Sequence, residues 1–280
     1  MLNVLNKRNG LFVDCTVGAG GHGGAILANL GERGRYIGID QDNEILAVAK
    51  SSINDERAMF YFANFTGLKD VLEECGYTKA DGILFDLGVS MYQLKNHTRG
   101  FSFESTQRLD MRMDTNGKEL SAWDVVNCLS EEEIVRILRD FGQETRAKLI
   151  GRLILQRRKD NPINTCLELS ELIVKAYGGR WTKRHPATKS FQAIRIYVNR
   201  ELEVLQEALD SALGVLNTGG RLCVISYHSL EDRIVKHSLR QKNMDGQIAL
   251  LTKKPLCADE NEVRENPSAR SAKLRGGQKI

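Results

Sequence analysis

Over its first 88 residues the chain alternates short apolar runs with stretches whose apolar residues recur at helical spacing. Residues 11–13, 36–39, 59–62 and 82–85 have the length and content of buried strands. Between them, residues 25–30, 42–52 and 68–75 read as helices, with Ile45, Leu46, Val48 and Ala49 on one face of the second. Strands and helices in alternation predict an α/β fold built on a parallel sheet, of the kind that binds nucleotides.

Beyond Gly88 the alternation stops. Residues 89–114 are irregular but hold aromatics and methionines, which argues for a functional loop rather than disorder. A wholly helical stretch follows, at residues 121–129, 131–141, 146–158 and 166–177. Ser130 with Glu133 makes a capping box for the second of these, and Asn161-Pro162 stops the third. An all-helical domain, residues 104–186, is therefore expected inside an α/β domain made of residues 1–103 and 187–280.

From Phe191 onward, Ile194, Val198, Leu202, Leu205, Leu209, Leu213 and Leu216 continue a step of threes and fours, the pattern of one long core helix. Thr218-Gly219-Gly220 ends it, and residues 221–226 form a fifth strand. Residues 248–252 and 272–275 supply the last two strands, one of them an antiparallel edge of the sheet. Residues 1–9 read only as a helix remnant before the first strand.

Composition narrows the class. With 41% hydrophobic and 27% charged residues this is an ordinary globular chain, and no apolar run approaches the roughly 20 residues of a membrane span. The N-terminus lacks the apolar core of a signal peptide, so no membrane partner and a cytoplasmic location are expected. Six cysteines stand far apart, without a Cys-x-x-Cys pair or a histidine at metal spacing, and read as reduced thiols with no metal site. A net charge of +4 is too small to imply a nucleic-acid partner, so the distribution of charge must decide.

The candidate chemistry gathers at strand ends. Gly18, Gly20 and Gly21 follow the first strand and allow backbone to approach a ligand at a helix N-terminus. Asp40 closes the second strand, where it would accept hydrogen bonds from both hydroxyls of a ribose. Gly18, Gly20 and Gly23 also satisfy the dinucleotide fingerprint, which leaves a nicotinamide cofactor open. Asp14 at the end of the first strand would repel a pyrophosphate and suit a cationic ligand, and His22 crowds the helix start. These two residues favour S-adenosylmethionine. Asp14, Asp40 and Asp86 should share one rim of the crevice. Phe65, just past the third strand, is either a stacking surface for adenine or a core phenylalanine.

His228, after the fifth strand, is a general base or a hydrogen-bonded structural residue. Arg146, Lys148, Arg152, Arg157 and Arg158, with Lys159, crowd the third helix of the insertion, and Arg180, Lys183 and Arg184 follow near its exit. They form either a solvated basic face or a track for RNA phosphates.

Taken together, Gly18-Ala19-Gly20-Gly21-His22, Asp86-Leu87-Gly88-Val89-Ser90, Arg99-Gly100-Phe101-Ser102-Phe103, Leu109-Asp110-Met111-Arg112-Met113-Asp114, His185-Pro186-Ala187-Thr188 and Ser229-Leu230-Glu231-Asp232-Arg233 closely resemble the RsmH (MraW) family of bacteria. The motifs span nearly the whole chain in the family's order. The resemblance implies a class I S-adenosylmethionine-dependent methyltransferase with a Rossmann-like sheet. Its substrate would be 16S rRNA of the small ribosomal subunit, methylated at N4 of a cytosine in the decoding centre. It further implies that Gly20, Gly21 and His22 hold the methionine end, Asp40 the ribose and Phe65 the adenine, and that Asp86 and Gln93 complete the pocket. The target base would leave its stack to lie against Tyr227, Phe101 or Tyr92.

Three departures stand out. Ser90-Met91-Tyr92 replaces a usual Ser-Ser-Pro, Lys95 replaces an Asp, and Tyr227 replaces a Phe. The family's N-terminal His-x-Pro-Val has no counterpart here, so the site is expected to close less fully.

Overall fold

A computed structural model describes residues 8–90, 92–93, 99–114, 120–179 and 185–280. The first seven elements are β1 (Leu11–Asp14), α1 (Gly21–Asn29), β2 (Arg35–Asp40), α2 (Asn43–Ser52), β3 (Ala58–Phe62), α3 (Leu68–Glu74) and β4 (Ala80–Asp86). Five helices follow: α4 (Ala122–Cys128), α5 (Glu131–Asp140), α6 (Ala147–Asp160), α7 (Cys166–Ala176) and α8 (Ala187–Val198). The chain closes with α9 (Glu201–Val215), β5 (Leu216–Ser226), α10 (Ser229–Met244), β6 (Ile248–Leu250), β7 (Leu256–Cys257), α11 (Glu260–Glu265) and β8 (Lys273–Lys279). Two compact units result, Met1–Gly88 with Leu202–Ile280, and Val89–Glu201. The helical unit thus begins before residue 104 and ends after residue 186.

The first unit is built on a sheet of order β3-β2-β1-β4-β5-β8-β6, with β7 paired to β8. Strands β1 to β5 run parallel, and β8 runs antiparallel to both β5 and β6. Side chains alternate between two apolar layers, as a pleated strand requires. Leu11, Val13, Ile37, Ile39, Ile83 and Phe85 pack with Leu72 of α3, Leu209 of α9 and Leu239 of α10. Phe12, Tyr36, Leu84 and Cys223 pack on the other face with Ile26 of α1 and Leu46 of α2. Helices cover both faces, which is why these strands read as continuous apolar runs.

Two expectations change. The long apolar period from Phe191 is broken into α8 and α9 at Asn199-Arg200, where Arg200 has φ 49°. Asn199 forces the break: its Nδ2 donates to Arg195 O and Met111 O at 2.8 Å, while its Oδ1 accepts from Met113 N at 2.7 Å. The turn expected at Thr218-Gly219-Gly220 lies inside β5, where the register jumps from Ala80↔Leu216 to Gly82↔Arg221. Gly219, at φ 76°, carries this bulge.

The second unit has its own core, with Leu109, Met111, Val125, Ile134, Leu138, Ile150, Cys166, Leu169 and Phe191 all buried. Capping boxes start α4 at Ser121, α5 at Ser130 and α7 at Thr165. The irregular segment before α4 is held from within: buried Arg99 donates through Nη2 to Arg112 O and Met113 O, both at 2.8 Å. Among the described residues no helix is long and apolar enough to cross a membrane. All six cysteines are free, with Cys15, Cys166 and Cys223 buried and Cys128 and Cys257 exposed. Burial pushes the thiols of Cys166 and Cys223 up to about 12, which makes them packing groups rather than nucleophiles.

Candidate active site

The crevice of a parallel sheet lies beyond the carboxyl ends of its strands. Here those ends are Asp14, Asp40 and Asp86, on the adjacent strands β1, β2 and β4. The connection from β1 to α1 is fixed to its neighbours by short bonds. Val17 N donates to Ile39 O at 2.9 Å, and Gly18 N to Asp40 Oδ2 at 3.0 Å. Thr16 Oγ1 accepts from Asp86 N at 2.6 Å, which ties the loop to β4 as well. Gly20 caps α1 at φ 91°, where an added Cβ would stand 2.9 Å from Ile53 Cδ1. At Gly21 an added Cβ would meet nothing within 4 Å, so the start of α1 faces open space.

Each carboxylate has a different environment. Asp14 is fully buried; its Oδ2 accepts from the Tyr36 hydroxyl at 3.1 Å and its Oδ1 from Thr16 N at 3.1 Å. Burial raises its carboxyl to about 6. The expected face toward a cationic ligand is not what it presents: Asp14 is an internal anchor for the loop. Asp40 is half-buried, and its second oxygen accepts from Asp42 N at 3.0 Å. Burial outweighs these two backbone donors and lifts its carboxyl to about 7. Asp86 accepts from the Tyr227 hydroxyl at 2.8 Å on Oδ1, and its Oδ2 lies 3.2 Å from His22 Nε2. That bond raises the pKa of His22, while burial and the neighbouring negative charge push the Tyr227 phenol well up. A phenylalanine at position 227 has no hydroxyl to give, so this bond belongs to the departure noted in the sequence.

The MraW methylase family matches residues 1–280 of this chain. The chain belongs to the MraW methylase family. It is 41% identical over 297 aligned residues to the ribosomal RNA small subunit methyltransferase H of Clostridioides difficile, covering 99% of this chain and 95% of that one. The protein of the same name from Thermotoga neapolitana is 47% identical over 277 residues, covering 96% of this chain and 90% of its own. Among solved structures, a putative rRNA methylase from Clostridium thermocellum aligns with 100% of this chain and 91% of its own, at 12% identity and a TM-score of 0.49. The nicotinamide alternative left open by the glycines falls with the family match.

Within this MraW-family sheet the other candidates take distinct places. Phe65 opens a short 3-10 turn after β3, half-buried, with its ring edge-on to Phe85 at a centroid distance of 5.5 Å. The preceding Asn64 donates to Gln41 at 2.6 Å, which draws this turn toward the corner beside Asp40. His228 is the N-cap of α10: Nδ1 accepts from Glu231 N at 3.3 Å, and Nε2 lies 3.1 Å from Glu231 Oε1. Buried Glu231 in turn accepts from Tyr227 N and His228 N at 2.9 and 3.2 Å. The histidine is thereby engaged as the cap of α10. The parts played by Thr16, Tyr36 and Glu231 in this network escape sequence reasoning, because their partners are remote in the chain or on the backbone.

The remaining candidates lie in the helical unit. Gln93 is buried there and its Oε1 accepts from Ser90 N at 2.9 Å. Phe101, a candidate to stack on the target base, is instead buried in that unit's core, while Tyr92 is exposed. On α6 the basic residues divide. Lys148 and Arg152 are exposed four residues apart, in line with Lys159. Arg146 lies 4.5 Å over the Tyr177 ring, Arg158 donates to Val126 O at 2.8 Å, and Arg157 donates to Asn161 O at 2.7 Å. Met91, Leu94, Lys95, Arg180, Lys183, Arg184 and the first seven residues lie outside the described residues.

Proposed function

We propose that this methylase transfers a methyl group from S-adenosylmethionine to N4 of a cytosine in the decoding centre of 16S rRNA. The observation that carries the reading is the linked rim of Gly18, Asp40, His22 and Asp86 at the ends of adjacent parallel strands. Its open start of α1, flanked by carboxylates, fits an adenosyl sulfonium. The names of the relatives support the substrate class.

In this reading Asp40 accepts from the ribose, Phe65 lies against adenine, Gly20, Gly21 and His22 border the methionine end, and Asp86 completes the pocket. The bound cofactor supplies an electrophilic methyl group carrying the positive charge of sulfur. Asp86 adds negative charge near that centre and keeps His22 oriented. Tyr227, oriented by its bond to Asp86, presents a ring against which an unstacked cytosine rests. The protein's main task is alignment, because the N4 proton becomes acidic once the methyl is attached and leaves to water. No general base is assigned, and His228 stays in its cap. Lys148, Arg152 and Lys159 contact RNA phosphates, and the enzyme works in the cytoplasm where ribosomes are assembled.

The test is transfer of labelled methyl from S-adenosylmethionine to small ribosomal subunits from cells lacking this modification, followed by nucleoside analysis. N4-methylated cytidine is the expected product. Label in another nucleoside, or in protein, rejects the substrate assignment.

A further inference from the structure

The reaction described above gives no part to Glu231, although it belongs to the Ser229-Leu230-Glu231-Asp232-Arg233 motif and is only 2% exposed. It stands in the first turn of α10, directly after β5. Its Oε2 accepts from Tyr227 N at 2.9 Å and from His228 N at 3.2 Å, and its Oε1 lies 3.1 Å from His228 Nε2. His228 Nδ1 accepts in turn from Glu231 N at 3.3 Å. One buried side chain thus holds both residues that lead into the helix.

Capping alone does not call for such burial. The boxes that open α4, α5 and α7 pair Ser121, Ser130 and Thr165 with Asp124, Glu133 and Glu168, and those three acids are only half-buried. Taking a carboxylate out of water is costly unless it is fully hydrogen-bonded, and a hydroxyl with a solvated acid already makes a good cap. Nor does α10 need Glu231 to stay on the sheet. Asp232 Oδ1 accepts from Arg275 Nε at 2.8 Å and its Oδ2 from Lys273 Nζ at 3.2 Å, both on β8, while Val235 and Leu239 are buried in the core.

What Glu231 fixes is the main chain of Tyr227. Asp86 pairs in register with Ile225, and from two residues further on Tyr227 brings its hydroxyl to Asp86 Oδ1 at 2.8 Å. A side chain keeps such an aim only when the backbone that carries it is itself held. The flank of the ring is open: a Cβ added at Gly88 would meet only Tyr227 Cδ2, at 3.9 Å. There is room beside the ring for a flat base.

We propose that Glu231 is a positioning residue for methyl transfer, holding the Tyr227 main chain so that its ring faces the target base and its hydroxyl stays on Asp86. The proposal rests on the RNA-methylating reading and deepens it by naming what aims the tyrosine. Glu231 itself touches neither base nor cofactor and acts through Tyr227.

The test uses the full-length protein. Methyl transfer to small ribosomal subunits and S-adenosylmethionine affinity are measured beside NMR titration of the His22 ring, assigned among five histidines by its loss in His22→Gln. Glu231→Ala removes both acceptors. It should slow transfer roughly ten- to hundredfold, the scale of a misplaced reactant, with cofactor affinity nearly unchanged. The His22 pKa should rise, as in Tyr227→Phe, because Asp86 loses the Tyr227 donor. The carboxylates that act on His22 are Asp86 and Asp14, so Glu231 reaches it only through Tyr227 and Asp86. Adding Glu231→Ala to Tyr227→Phe should therefore move His22 no further. Asp232→Asn loosens α10 from β8 instead; it should lower the melting temperature and leave the His22 titration in place. Glu231→Gln keeps one oxygen for Tyr227 N and should recover part of the lost rate, and it supplies the same comparison if Glu231→Ala does not fold.

Wild-type transfer by the Glu231 variants overturns the positioning role. Slow transfer with an unmoved His22 titration overturns it too, and makes Glu231 a helix cap alone. Transfer by the wild-type protein keeps the proposed function in either case. Absence of transfer by wild type removes that function and this role with it.

Discussion

His22 Nε2 and Asp86 Oδ2 stand 3.2 Å apart, and the other oxygen of the same carboxylate takes the Tyr227 hydroxyl at 2.8 Å. One carboxylate thus joins the start of α1 to the end of β5. Because its hydrogen bond and negative charge raise the pKa of His22, the imidazole should titrate nearer its ordinary value of 6.5 in Asp86→Asn. Tyr227→Phe should move it the other way, since a carboxylate with one donor fewer pulls harder on the remaining one. NMR titration of the His22 ring checks both directions.

The buried carboxyls give stability a pH dependence of unusual sign. Asp14 and Asp40 are raised from 3.8 to about 6 and about 7, so between these limits the folded protein binds protons that the unfolded chain releases. Stability should fall as pH climbs from about 4 toward about 7. His22 adds to the trend, since its raised pKa contributes stability that is lost as pH rises through it. Thermal melts across this range should show a declining Tm, with a shallower decline in Asp14→Asn. A flat or rising profile contradicts the burial argument.

With Asp40 placed at the ribose as proposed, cofactor binding should be sensitive to pH. A charged carboxylate accepting from ribose is worth about 1.5–3 kcal/mol, so Asp40→Ala should weaken S-adenosylmethionine roughly ten- to hundredfold. Binding to wild type should weaken as pH falls through about 7, where Asp40 takes up its proton. Calorimetric titrations at pH 6 and 8 measure both effects; equal affinity in Asp40→Ala removes this residue from the pocket.

Neighbouring glycines should respond differently to the same change. Gly20→Ala places a Cβ 2.9 Å from Ile53 in a left-handed backbone and should cost about 1–3 kcal/mol of stability. Gly21→Ala meets open space and should leave the melting temperature nearly intact while altering cofactor affinity. Similar melts for the two variants would count against the strained turn.

The basic residues of α6 should likewise separate into two groups. Lys148→Glu with Arg152→Glu should weaken RNA binding and flatten its logarithmic salt dependence by roughly 0.7–0.9 for each phosphate left unneutralised, with little change in stability. Arg158→Ala should instead lower stability, because its guanidinium holds the Val126 carbonyl. Affinity at two salt concentrations, together with melts, distinguishes a phosphate track from a solvated face.

Much of the architecture was legible in the sequence because both faces of the sheet are covered, so β1, β2 and β4 stand out as apolar runs closed by aspartates. The break at Asn199 was not, since Val198 and Leu202 keep a helical spacing across it and only its bonds to Met111 and Met113, far back in the chain, betray the turn. The site was half legible. Asp40, His22 and Asp86 advertise themselves by position, whereas Asp14 looks the same in sequence and turns inward to Tyr36. His228 shows the opposite ambiguity: a titratable ring beside a crevice acts as a helix cap, and only the bond from Glu231 N reveals it.

The placement of β8 sets the order in which this molecule can be finished. The strand lies between β5 and β6 and supplies the ladder partners of both, yet it is made of Lys273–Lys279, which leaves the ribosome after every other strand of the sheet. The helical unit, Val89–Glu201, is continuous in the chain and has all its residues long before that moment. The sheet unit must wait with the edge of β5 unpaired until those seven residues emerge. A nascent chain stalled or clipped ahead of Lys273 therefore loses an interior strand rather than a frayed end, and β6 has nothing left to join.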